Sequence, residues 1–267
     1  MQFGYCLGLD FFQKNGEKTL FDMVADAGYD YVELPLSGIS ALSGNQLLQC
    51  EKALSRIPCR ACNLFFPPGL VIVGEGMNIS GIRAYLAKML PIAAGLGVET
   101  LVFGNGGARK IPEGAIRENI WNNLRTLIEI MDEYTGRYGV TICVEPLNAT
   151  ETNIITSYGE AARLTAGLSQ VTTMIDNYHV AMEGQSFDDV LASPEQLKHL
   201  HIAYPDGRLV PSAEDDVAKY AAFLRVVKQL GYDDKISIEG RLRATESDDM
   251  YHEVAGALCV LKKLVLA

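Results

Sequence analysis

Short apolar, β-branched runs alternate along the chain with longer segments whose apolar residues recur every three or four positions. The short runs fall at residues 2–8, 31–35, 59–65, 100–106, 141–146, 171–178, 197–204 and 235–241. They read as eight strands. The segments between them read as helices. In residues 115–139, Ile116, Ile120, Leu124, Leu127, Ile128 and Met131 share one face, and in residues 215–232 so do Val217, Tyr220, Phe223, Leu224, Val227 and Leu230. Residues 252–267 form the last such segment. Glycine stands where several helices must end, at Gly28, Gly97, Gly139 and Gly231. It takes the left-handed conformation that closes a helix without steric cost.

One strand follows the last after about 25 to 40 residues, room for a strand, a helix and two loops. Eight such units use up the 267 residues, with no linker or shift in composition to mark a second domain. The pattern predicts an α/β fold, a closed (β/α)8 TIM barrel, as a single domain over residues 1–267. An open doubly wound sheet is the competitor. It more often carries a glycine-rich fingerprint after its first strand, which GYCLGLDFF is not.

Charge and composition narrow the partners. The net charge is -10 and no basic run occurs, so neither a nucleic acid backbone nor an anionic membrane is an expected partner. No apolar stretch reaches the roughly 18 residues that a membrane-spanning helix needs. The N-terminal residues lack the basic start and long apolar run of a signal peptide. Six scattered cysteines suit buried thiols in a reducing cytoplasm better than a disulfide framework. The protein is therefore expected to be cytoplasmic. The one close pair, Cys59 and Cys62 in CRAC, falls in a strand, where residues three apart face opposite sides.

In a barrel the C-terminal ends of the strands form the active-site rim. Strand 5 ends in Glu145 (ICVE), strand 6 in Asp176 (MID), strand 7 carries His201 (LKHLH) and strand 8 ends in Glu239 (ISIE). Taken singly, each has a bland explanation as a cap, a surface residue or a core hydrogen bonder. On four consecutive strands at matching places, three carboxylates and an imidazole require a counter-charge. A divalent cation supplies it. The oxygen-rich donor set suits Mn²⁺ or Mg²⁺, with Co²⁺ and Zn²⁺ left open. Around this set lie His179, Glu151 and Arg208. His199 shares a face with His201, whereas Lys198 points outward and offers no Schiff base. No G-x-S-x-G elbow occurs. GNGGARK (104–110) lacks P-loop spacing and reads as a tight polar rim loop. Phe11, Phe12 and FFPPG (65–69) offer apolar surface either for covering a bound molecule or for loop packing.

The stretches EPLNATE, DNYH, HLHIAYPDGR and ISIEGR, with GYDYVELP and FGNGGARKIPEG, resemble the sugar-phosphate isomerase/epimerase superfamily of xylose isomerase-like barrels. The resemblance is closest to the ketose 3-epimerases of the tagatose and psicose type. It covers essentially the whole chain, and it is specific for the superfamily rather than for a substrate. It implies a metal-dependent isomerase of carbohydrate metabolism. Glu145, Asp176, His201 and Glu239 would hold the metal, and Glu145 and Glu239 would serve as acid and base. Glu151 would meet the sugar's terminal hydroxyl, and His179 and Arg208 its oxygens. Epimerases usually place the arginine six residues after the metal histidine, in E-x-N-R. Here residue 207 is glycine, and Tyr204, Pro205 and Asp206 precede it, so Arg208 comes one position late.

The expected reaction is C3 epimerisation of a free, unphosphorylated ketose through a cis-enediolate. Aldose–ketose or hydroxypyruvate-type isomerisation on the same metal site is the alternative. A small-molecule sugar is the expected partner, and self-association into a homo-oligomer stays open. Two other classes use such barrels. A metal-dependent abasic-site endonuclease would need more than four histidines and a surface for DNA, and a non-catalytic binding barrel would need no acid–base pair.

Overall fold

The computed structural model describes residues 1–9 and 18–266; Phe11 and Phe12 lie outside them. Eight parallel strands close into a barrel in sequence order. They are β1 (Gln2–Cys6), β2 (Tyr31–Pro35), β3 (Cys59–Asn63), β4 (Thr100–Phe103), β5 (Thr141–Val144), β6 (Val171–Asp176), β7 (Leu197–Ile202) and β8 (Lys235–Ile238). Closure is made by β8 against β1, with Gln2 opposite Lys235 and Tyr5 opposite Ile238. All eight predicted runs are strands. Most end two or three residues earlier than their apolar pattern, because their last residues leave the ladder to form the rim.

Each strand sends alternate residues to opposite faces. One set, including Phe3, Val32, Leu34, Leu101, Phe103, Ile142, Val144, Leu200, Ile202, Ile236 and Ile238, joins the large core between sheet and helices. The other set fills the barrel. Val102, Cys143 and Met174 form a small separate apolar cluster. Beside it lies a polar group: Tyr31, Glu33, His199, His201 and Ser237 are fully buried. Gly4 leaves room for the Tyr31 ring, since a Cβ there would come within 2.2 Å of it.

The helices follow the sequence pattern with local differences. Gly28, Gly97, Gly139 and Gly231 all have positive φ. In the helix Arg117–Thr135, residues Ile120, Leu124, Leu127, Ile128 and Met131 are buried, but Ile116 is the exposed N-cap residue. Val217 likewise begins a 3₁₀ turn and faces solvent. Phe65 and Phe66 are buried against each other, Phe103 and Tyr85, so they serve loop packing.

Two expectations need correction. The sulfurs of Cys59 and Cys62 do not face apart; they lie 3.9 Å from each other. The pairing of β2 with β3 shifts register so that Val32 meets Cys59 but Glu33 meets Ala61, which breaks the alternation at Arg60. Nor is GNGGARK wholly a rim loop. Gly106–Arg109 form one helical turn, and the Arg109 side chain is fully buried.

Candidate active site

The rim brings together the four residues nominated from the strand ends. One donor atom from each of Glu145, Asp176, His201 and Glu239 lies within 4.8 Å of the others. His201 Nδ1 is 2.9 Å from Glu239 Oε2 and 3.4 Å from Glu145 Oε1. Asp176 uses its other oxygen, Oδ1, to accept from the Tyr178 amide, which fixes the carboxylate. Glu145 Oε2 sits in the space that Gly104 leaves by lacking a side chain, since a Cβ there would stand 2.0 Å from it.

The surrounding residues also converge. His179 Nε2 lies 3.5 Å from Asp176 Oδ2 and 3.9 Å from Glu145 Oε1. Its Nδ1 faces the Asn148 backbone amide at 3.3 Å and Asn148 Nδ2 at 2.8 Å. Both are donors, so Nδ1 accepts and the ring hydrogen sits on Nε2, pointing at the rim. Asn148 Nδ2 also donates to Glu151 Oε1 at 3.1 Å. Arg208 Nη2 donates to Glu239 Oε2 at 2.6 Å and to Asp176 Oδ2 at 3.1 Å, and Nη1 lies 3.6 Å from Glu151 Oε1. Its guanidinium stacks over the Tyr178 ring at 4.8 Å.

The extra residue before Arg208 is absorbed in a tight loop. Tyr204 and Leu209 exchange backbone hydrogen bonds, and Gly207 and Arg208 both take positive φ. The Arg241 amide donates to the Arg208 carbonyl at 2.8 Å, which pins the loop to the chain leaving β8.

Charge is concentrated here. Burial drives the Asp176 carboxyl up to about 6, although His179 and Arg208 oppose the rise. For Glu239 burial acts the same way, but His201 and Arg208 outweigh it and pull the carboxyl down to about 2. Burial disfavours charge on His201, yet Glu33 and Glu239 raise its pKa well above the usual value. His199 moves the other way, since burial dominates over the same Glu33. Glu33 is itself buried, but His201 and His199 hold it ionised, well below the carboxylate range.

Among the described residues, three buried polar atoms at this rim have no hydrogen-bond partner: Glu145 Oε1, His179 Nε2 and His201 Nδ1. Buried orphans are rare unless a ligand completes them. Two lone-pair donors and two further carboxylates form a buried cluster able to chelate a divalent metal. A second trio, Cys6, Glu33 and His201, also has donor atoms within 4.8 Å.

Sequence reasoning assigned no role to Glu33, Asn148 or Arg109. Glu33 interrupts the apolar strand YVELP, the same signal that marked Glu145 and Glu239. Asn148 and Arg109 sit in turn-like segments and carried no distinguishing signal.

A closed (β/α)8 barrel with a carboxylate-rich, histidine-containing centre at its C-terminal mouth is the class this chain defines. The family described as the xylose isomerase-like TIM barrel matches residues 21–259, and the chain belongs to it. Among solved structures it is similar to a D-psicose 3-epimerase from Clostridium cellulolyticum H10 solved with D-tagatose, at 16% identity and TM-score 0.79 over 99% of each chain. A 3-keto-D-glucoside 4-epimerase from E. coli is similar at 18% identity and TM-score 0.78, over 98% of this chain and 99% of that one. A D-allulose 3-epimerase from Methylomonas sp. aligns at 19% identity and TM-score 0.78, over 98% and 96%. No curated protein sequence matches the chain. Among the described residues, no helix is long and apolar enough to cross a membrane.

Proposed function

We propose that the protein is a metal-dependent sugar epimerase that moves a proton beside the carbonyl of a free ketose, with C3 epimerisation as the reaction. The observation that carries this is the convergence of Glu145, Asp176, His201 and Glu239, which includes two carboxylates from strands on different sides of the barrel. These four residues would hold one divalent cation, Mn²⁺ or Mg²⁺, with Co²⁺ and Zn²⁺ also suited to the donor set. When bound, such a cation polarises the carbonyl and offsets the negative charge of an enediolate.

The chain's own groups do the rest. Glu145 and Glu239 approach the shared centre from β5 and β8. One removes the proton from the carbon next to the carbonyl, and the other returns a proton to the opposite face. His179 Nε2–H and the Arg208 guanidinium donate to substrate oxygens as negative charge develops there. Glu151, held by Asn148, accepts from a hydroxyl at the open side. Arg208 already balances Asp176 and Glu239, so it is poorly placed to anchor a phosphate as well. That supports an unphosphorylated sugar. The solved ketose 3-epimerases of the same fold support the same reading. The acidic chain makes nucleic acid an unsuitable partner. Incubating the Mn²⁺-loaded enzyme with a panel of ketoses in D₂O tests the proposal. Deuterium should enter the carbon beside the carbonyl of at least one ketose; no exchange with any of them sinks it.

Metal binding should depend on pH with a definite sign. Asp176 has a raised pKa of about 6 in the metal-free protein, and His201 is raised as well. Asp176 gains a proton below about 6, and His201 already holds one above the usual imidazole range, so a cation must displace both. Apparent Mn²⁺ affinity is therefore expected to fall as pH drops through 6, by about tenfold per unit for each proton released. Calorimetric titrations between pH 5 and 8, in buffers of different ionisation enthalpy, measure both the slope and the proton count. A flat profile contradicts the assignment of Asp176 and His201 as ligands.

A further inference from the structure

Beneath the converging donors, the barrel interior contains a hydrogen-bonded chain drawn from β2, β7 and β8. Tyr31 Oη lies 2.8 Å from Ser237 Oγ. Ser237 Oγ donates to Glu33 Oε2 at 2.6 Å. His199 Nε2 reaches the same oxygen at 2.9 Å, and His201 Nε2 reaches Glu33 Oε1 at 3.0 Å. All five residues are fully buried. Barrel interiors are usually filled with branched apolar side chains, which avoid the desolvation cost of a buried carboxylate. Filling space does not account for this group.

Its geometry does account for His201. A carboxylate only accepts hydrogen bonds, so the hydrogen of the Glu33–His201 contact lies on Nε2. In the neutral ring that leaves the lone pair on Nδ1. This is the nitrogen that faces Glu145 and Glu239 and, among the described residues, has no hydrogen-bond partner. The bond at Nε2 also sets the plane of the ring. Glu33 is fixed in turn, because Oε2 receives two donors, from the neighbouring strands β7 and β8, and Oε1 receives the third. With both oxygens engaged, Glu33 is poorly suited to bind a cation itself with Cys6 and His201. Such a site would have to take Nε2 away from the contact that orients the ring.

We infer that Glu33 is a positioning residue, held by Ser237, Tyr31 and His199, that presents His201 Nδ1 to the divalent cation. The inference rests on the metal centre proposed above. A carboxylate behind a metal-binding histidine commonly governs affinity by 10- to 100-fold, of the order of magnitude expected here. Glutamine in place of Glu33 keeps the shape but turns one oxygen into a donor. It then opposes an imidazole N–H, which drives that hydrogen to the other ring nitrogen.

The test is calorimetric titration of Mn²⁺ into metal-free wild type, Glu33→Gln and Ser237→Ala, beside thermal melting of the same metal-free proteins. Wild type should bind one ion per chain. Glu33→Gln should bind it about 10- to 100-fold more weakly at the same stoichiometry. Ser237→Ala, which keeps the carboxylate but loosens it, should weaken binding by a smaller factor in the same direction. It also decides the matter if Glu33→Gln does not fold. A purely structural role would lower the melting temperatures and leave Mn²⁺ affinity unchanged in Ser237→Ala and in folded Glu33→Gln, which overturns the inference alone. A wild type that binds two ions, falling to one in Glu33→Gln, makes Glu33 a ligand and also overturns it. A wild type that binds no Mn²⁺ overturns the metal centre as well.

Discussion

Glu145→Gln is expected to stop net epimerisation and to lower proton exchange with one of the two epimers by about 10²–10⁴-fold, the usual worth of a positioned general base. The substitution is nearly isosteric. Gly104 leaves the space that Oε2 fills, and a glutamine of the same shape fits it. What is lost is a proton acceptor and one anionic donor at the rim. These two losses are separable. At saturating Mn²⁺, a variant that has only lost a ligand regains its rate, whereas one that has lost its base does not. The two-carboxylate arrangement makes a sharper demand. Glu239 still stands on the other strand, so the epimer whose proton faces Glu239 should continue to exchange with solvent although it is no longer converted. Glu239→Gln should show the mirror result, and the double variant should exchange neither epimer. Mass spectrometry of each epimer recovered from D₂O reads all of this directly. Normal exchange of both epimers by Glu145→Gln would remove Glu145 from the chemistry.

The barrel was legible in the sequence because parallel strands covered on both faces are apolar along most of their length. Eight such runs, with glycines ending the intervening helices, left few other architectures. The rim residues were legible for a related reason. Glu145, Asp176 and Glu239 each follow or end an apolar run, where a carboxylate needs an explanation. Glu33 carries the same anomaly, but inside its run rather than at the strand end where the rim lies. Side-chain period alone could not show that β2, β7 and β8 join across the interior. Arg208 was displaced by one residue from the pattern it resembles. The compensation lies in backbone conformation, with Gly207 and Arg208 both at positive φ. A non-glycine residue there costs about 1 kcal/mol or more, and the ion pairs to Glu239 and Asp176 oppose that cost. The approach of Cys59 to Cys62 was hidden likewise, since a register shift depends on the neighbouring strand and leaves no local mark.

Arg109→Met is the substitution expected to cost the most stability, about 3 kcal/mol, because it removes a buried, charge-assisted set of hydrogen bonds. Arg109 has no exposed surface and, among the described residues, no carboxylate partner within hydrogen-bond reach. Its guanidinium donates instead to backbone: Nη1 to the Phe103 carbonyl at 3.1 Å, and Nη2 to the Glu145 carbonyl at 2.5 Å and to that of Ile155 at 3.4 Å. Burial lowers its pKa to about 10, against the pull of Glu145, so it stays charged at neutral pH. The three carbonyls do not depend on it equally. Phe103 also accepts from the Glu145 amide, and Ile155 from the Leu147 amide. The Glu145 carbonyl is therefore the group most exposed to the loss of Arg109, and it belongs to the residue assigned the proton transfer. Methionine fills much of the volume but donates nothing. For a chain of this size, 3 kcal/mol corresponds to a fall in melting temperature of about 6–12 °C. Arg109→Lys should recover only part of it, since an ammonium lacks the planar fork that spans three acceptors. The same movement of the Glu145 backbone predicts weaker Mn²⁺ binding in both variants, ranked as their stabilities are. A melting temperature within about 2 °C of wild type for Arg109→Met, well short of the shift expected for such a loss, would mean that water or relaxed backbone replaces the guanidinium and that the end of β5 does not depend on it.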